Sequence, residues 1–358
     1  MRVGLSPPRT LPAAPFSAGV HGPMLTADNE AKGEAMLKAS TAASEKGSAE
    51  RSADRERGLQ AFVRHHGLVS FYALAYLLSW VAWVPYVLSQ YGLGILRIPS
   101  PQILGTGELA GQLVGLLPGA YLGPLGAAFV VTAISDGRPG LRRWGGRLFR
   151  WDVNWKWYAL ALVGVPALLA AGTLVVSPGS GAGLRLPPLE LFLLYVPFLL
   201  LQMVTTGLAE EPGWRDFALV RHQRLHGPLA GTLILGVLWG GWHLPLFLTD
   251  WGRGMGGLNP QAILLFVAFC VVFSVFITWL FNRTRESLPV AMLAHVSVNN
   301  FASVLWFAVF TTLNPYGQAT NWASVVGFGA VALVLVAATR GRLGYRRELQ
   351  ADGPAKDA

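Results

Sequence analysis

The sequence predicts an all-α fold, a polytopic transmembrane helical bundle of about eight spans with both termini on the cytoplasmic side. Three observations carry that expectation. Hydrophobic residues fill 53% of the 358 positions and charged residues only 13%, a balance that a soluble enzyme of this length would find hard to keep in solution. The apolar residues gather into runs that match the roughly 20 helical residues needed to cross a hydrocarbon core. The cationic residues behind the net charge of +9 sit in short blocks between those runs and at the chain ends. That is the pattern of topology signals rather than of a nucleic-acid surface, so no nucleic-acid partner is expected.

Residues 1–64 are rich in Ala, Ser, Gly, Pro and mixed charge and poor in large apolar side chains, which predicts a disordered cytoplasmic tail. No apolar run long enough for a targeting peptide appears before Leu68. Spans are expected near 68–89, 113–134, 156–176, 189–209, 229–249, 261–281, 288–308 and 323–339. Pro118 and Pro124 would bend the second, which a bundle tolerates when neighbours satisfy the freed backbone groups. The first three spans, within 65–186, carry few polar groups and read as scaffold; the last span falls in 311–345, and 346–358 form a second disordered tail.

The loops can be tested against the positive-inside rule. Arg138, Arg142, Arg143, Arg147 and Arg150 occupy one loop, Arg215, Arg221 and Arg224 another, Arg283 and Arg285 a third, and Arg340, Arg342, Arg346 and Arg347 follow the last span. The alternate loops hold only Arg97, Arg185 and Arg253. Eight spans with both ends inside satisfy every loop. Trp83, Trp144, Trp155, Trp251 and Trp322, near span ends, suit either interfacial anchoring or packing. The single cysteine, Cys270, lies in an apolar run, which leaves no intrachain disulfide framework and no cysteine-based zinc site.

Ionisable groups are costly at bilayer depth and mark a pathway or a reaction centre. In the later spans they are Glu210, Glu211, Arg215, His243 and His295. Glu211 precedes Arg215 by four residues, the favourable spacing for a helical ion pair, whereas Glu210 is rotated by about 100° and is left freer for chemistry. Pro212 predicts a break in the helix here, with the acids near a new N-terminus. Trp239 and His243 share one helix face, as do His295 and Asn299, and Gly240 and Gly241 would let another backbone approach.

A carboxylate and an imidazole can activate water, while a second imidazole and a carboxamide can stabilise an oxyanion. Glu210, His243 and His295 could alternatively hold a divalent metal of the zinc type in an open site. At 1.5 Å per residue from the inner end, His295 lies roughly 10 Å deep and His243 roughly 20 Å, while Glu210 falls near the surface. The depths can meet if 213–219 stay embedded and the fifth span begins nearer Leu233 or Leu235.

These residues resemble the CPBP family of intramembrane proteases, which includes the type II CAAX prenyl endopeptidases and proteins linked to bacteriocin self-immunity. The shared elements are Glu210-Glu211 with Arg215, then Trp239 with His243, then His295 with Asn299, within a catalytic helical core of residues 187–310. Trp239 stands where the family more often has Phe. The resemblance implies Glu210 as the water-activating base assisted by His243, His295 and Asn299 as the oxyanion hole, and Glu211, Arg215 and Trp239 as supports. It implies an integral membrane endopeptidase, of a bacterial cell membrane, acting on prenylated (CAAX) or other membrane-associated polypeptides. The glutamate–water mechanism requires no cofactor; the metalloprotease reading keeps a zinc-type ion on Glu210, His243 and His295. A transporter, or a non-catalytic immunity or scaffold protein, would use the same polar residues differently.

Overall fold

The computed structural model describes residues 60–98, 107–313 and 319–346, together with isolated helical positions between 32 and 58. Its contacts divide the chain into two units, Met1–Leu59 and Gln60–Ala358, and the second holds the bundle. Eight of its helices are long and apolar enough to cross a membrane: α1 Gly67–Leu88, α2 Leu113–Ser135, α3 Trp155–Val176, α4 Leu189–His226, α5 Pro228–Leu248, α6 Pro260–Arg283, α7 Leu288–Val309 and α8 Ala319–Thr339. Among the described residues there is no strand, only two isolated bridges. All but α4 begin and end within a few residues of the expected spans, because the hydropathy that pushes a segment into lipid also dictates a helix with every backbone group paired internally.

The exception changes the centre of the molecule. α4 runs unbroken for 38 residues, straight through Pro212. The expected break there is corrected: the helix widens to i→i+5 bonding over Met203–Leu208 and again over Pro212–Leu219. A proline inside a regular α-helix lacks one N–H and crowds the carbonyl a turn earlier, and a widened turn relieves that contact. The chain actually turns at Gly227, whose φ of 80° leaves the right-handed helical region. Pro228 then opens α5 in its first turn, so α5 does not begin near Leu233 or Leu235. The embedding of 213–219, by contrast, is as expected, since Pro212–Leu219 is buried throughout.

Helix crossings are close where side chains are small. A Cβ on Gly213 would stand 2.5 Å from the Pro124 carbonyl oxygen, so α4 meets α2 backbone to backbone. One on Gly240 would lie 3.1 Å from Val267 Cα of α6, as expected of a small residue at a crossing, whereas Gly241 faces the Tyr76 hydroxyl instead.

The helix ends rich in arginine are tied together by polar contacts. Arg147 donates to Asp216 Oδ1 at 2.5 Å and to Glu286 Oε2 at 2.7 Å. Burial alone would lower the pKa of the Arg147 guanidinium, but the two carboxylates more than offset it and raise it. Arg285 and Glu286, both at positive φ, form the tight turn from α6 to α7.

Of the tryptophans near span ends, Trp155 and Trp322 are exposed, whereas Trp83 is buried, Trp144 bonds the Pro212 carbonyl and Trp251 stacks on His243. Most of the tail expected to be disordered lies outside the described residues, as does 347–358. The described positions within it are helical, and 60–65 lead into α1 with Val63 buried.

Candidate active site

Four helices meet around the acid pair. Glu210 and Glu211 sit in a short regular stretch of α4, Ala209–Glu211, held between the two widened segments. Extra-residue turns of this kind rotate the helix beyond them and are frequent at functional sites. Both acids are buried.

The two carboxylates are used differently. Glu211 takes Arg215 Nε at 3.1 Å on Oε2, the predicted ion pair, and His295 Nδ1 at 2.8 Å on Oε1. Both ends of the Glu211–Arg215 pair are fully buried. Arg215 also donates to Ser274 Oγ at 3.3 Å and lies 4.7 Å from the centre of the Trp239 ring. Glu210 accepts from Trp239 Nε1 at 2.9 Å.

Trp239 therefore links the acid on α4 to both imidazoles. Its ring lies edge-on to His295 at 5.1 Å and to His243 at 6.0 Å, centre to centre. His243 Nδ1 is 2.9 Å from the Trp239 carbonyl oxygen, which can only accept, so Nδ1 carries the proton and Nε2 keeps its lone pair. Trp251 stacks on the His243 ring, and Trp242 and Phe266 meet it edge-on.

Glu210, Trp239, His243, His295 and Asn299 line one cavity of about 730 Å³. Glu211 and Arg215 are not among its lining residues. Each residue named from sequence is thus either in the cavity wall or directly behind it. The aromatic box of Trp242, Trp251 and Phe266, and Ser274 behind Arg215, were not anticipated. Nor was the Glu211–His295 bond, which joins helices 84 residues apart; no local spacing encodes it. The scaffold spans also contribute, since Trp83 of α1 and Leu116 of α2 line the cavity.

Glu210, His243 and His295 have the donor chemistry of a zinc-type site, each imidazole having its Nδ1 engaged and its Nε2 left over. The Trp239 indole stands beside all three, and among the described residues no three His, Cys, Asp or Glu side chains gather closely enough to hold a metal ion.

Eight apolar helices around a buried carboxylate–histidine cluster define an integral membrane protein with its polar centre inside the bundle. Residues 192–301 match the family model described as "Type II CAAX prenyl endopeptidase Rce1-like", in agreement with the resemblance carried by the motifs. The match contains every residue of the cluster. A comparison with curated proteins gives no match.

Proposed function

We propose that the chain is an intramembrane endopeptidase in which Glu210 activates water for attack on a peptide carbonyl of a membrane-associated polypeptide. The observation that carries this reading is the division between the acids: Glu211 is bound at both oxygens, while Glu210 accepts one bond from Trp239 and lines the cavity with His243, His295 and Asn299.

In the proposed reaction a water oxygen attacks the scissile carbonyl carbon as its proton passes to Glu210. His243 Nε2, an acceptor by the bonding of its other nitrogen, orients the water. Asn299 Nδ2 and His295 Nε2 donate to the developing oxyanion. With Nδ1 already donating to Glu211, His295 Nε2 can donate only as the imidazolium, and Glu210 and Glu211 together balance that charge and the charge of Arg215. The tetrahedral intermediate collapses with cleavage of the C–N bond, and the proton on Glu210 leaves with the amine. No step runs through a metal.

The test is cleavage of a reporter peptide by purified protein in detergent. Glu210→Gln and His295→Ala are each expected to lower the rate by roughly 10²-fold or more. Wild-type rates in both variants would overturn the reading, and loss of solute flux in protein that never cleaves would favour transport. Chelation is expected to leave cleavage intact; loss restored by zinc would transfer Glu210, His243 and His295 to a metal.

A further inference from the structure

The cavity that holds the candidate site is one-sided. Most of its lining comes from the halves nearer the arginine-poor ends, with Glu210 and His295 at its inner floor: Trp83 late in α1, Leu113 at the start of α2, Leu191 at the start of α4, Phe307 at the end of α7 and Thr320 at the start of α8. Trp251, in the segment between α5 and α6, belongs to the same end. No residue of 136–154, 282–287 or 340–346 lines it.

Toward the arginine-rich end the site is closed by packed protein. Pro212–Leu219, which comes directly after the acids, is buried throughout. The Trp144 indole covers that segment, donating to the Pro212 carbonyl at 3.0 Å, and Arg147 clamps Asp216 against Glu286. At Gly213 the backbones of α2 and α4 leave no room even for a methyl group. A second cavity, about 1040 Å³, does open at that end among Arg64, Arg143, Arg147 and Arg221, but it shares no lining residue with the first.

Charge assigns the two ends to sides of the membrane. One loop at the closed end carries Arg138, Arg142, Arg143, Arg147 and Arg150, while the three loops at the open end that carry arginine have one each, Arg97, Arg185 and Arg253. Arginine-rich loops of this length stay in the cytoplasm. We infer that substrate enters the site from the non-cytoplasmic face, and that the substrate class is a membrane-anchored polypeptide whose scissile segment lies on that side rather than a tail exposed to the cytoplasm. The cleavage in that statement rests on the proposed endopeptidase reading; the side of entry rests on cavity and charge alone. A volume of about 730 Å³ walled by Leu, Phe and Trp suits a short apolar stretch of extended chain.

Side-specific cysteine labelling tests it. In a Cys270→Ser background, Met255→Cys reports the open end, Thr206→Cys the interior one turn before Glu210, and Arg143→Cys the closed end. A membrane-impermeant charged maleimide is applied to spheroplasts of a bacterial expression host and to inverted inner-membrane vesicles. Met255→Cys and Thr206→Cys are expected to label at least tenfold faster in spheroplasts, and Arg143→Cys in inverted vesicles. Labelling of Thr206→Cys only from inverted vesicles, or from neither side, would overturn the inference, as would the opposite orientation of Met255→Cys. Val298→Cys, buried in the cavity wall, serves as a second interior reporter should Thr206→Cys fail to accumulate. The readout needs no activity: wild-type cleavage by Glu210→Gln would remove the endopeptidase reading and leave the side of entry standing.

Discussion

Glu211 holds Arg215 with one oxygen and His295 with the other, while its neighbour Glu210 has, among the described residues, a single donor in Trp239. The two acids should therefore fail differently. Glu211→Gln leaves a fully buried guanidinium without its anion, a loss of about 3–5 kcal/mol by analogy with broken buried pairs, read as a fall in unfolding midpoint in detergent. Glu210→Gln keeps an acceptor for Trp239 and should shift that midpoint little while removing cleavage. Trp239→Phe keeps the ring between the imidazoles but loses the N–H on Glu210; hydrogen bonds to charged groups contribute about 1.5–3 kcal/mol, so kcat should fall about tenfold or more. The four-residue spacing made the Glu211–Arg215 pair legible in sequence. The indole bond was not, because whether Trp239 packs or donates depends on how far α5 stands from α4. The resembled family's more frequent Phe left only the packing role in view.

At the scale of elements, α4 is where sequence reasoning and structure part. The hydropathy runs gave the other helices nearly end for end, since length and apolarity alone decide what crosses lipid. Pro212 was read against a regular α-helix, in which it should end the run, and a widened turn is a state that reading does not contain. The unbroken run of α4 to His226 puts Glu210 inside the bundle without the late start of α5. Each widened turn also sets the angular phase of the residues beyond it. Inserting an alanine after Val204 in the Met203–Leu208 stretch should add a residue beyond the extra one already absorbed there and rotate Glu210 by about 100° away from Trp239. Cleavage should drop at least 10²-fold while the protein still elutes as a folded species from size-exclusion chromatography; unchanged activity would show that the phase does not matter.

Across the whole molecule, the arginine-rich end works as a clasp and the other end as a mouth. Arg147 spans the clasp, joining the segment after α2 to α4 and to the turn before α7. Arg147→Ala leaves the fully buried carboxylate of Asp216 without its cation, an expected loss of about 3–5 kcal/mol measurable by thermal unfolding in detergent. The clasp was half legible: the arginine blocks grouped these helix ends together, but nothing in the order of residues paired Arg147 with Asp216 and Glu286, which come from distant elements.

The unbroken α4 also bears on how the protein is made. Its first half is apolar enough to enter a bilayer by itself, but its second half carries Glu210, Glu211, Arg215 and Asp216. At about 2.5–3.5 kcal/mol for each ionisable group near a helix centre, that half costs on the order of 10 kcal/mol as an isolated helix. Trp239, Ser274 and His295, which offset part of that cost, all leave the ribosome later. Insertion of α4 must therefore proceed in two stages, its polar half waiting at the interface until α5, α6 and α7 arrive to enclose it.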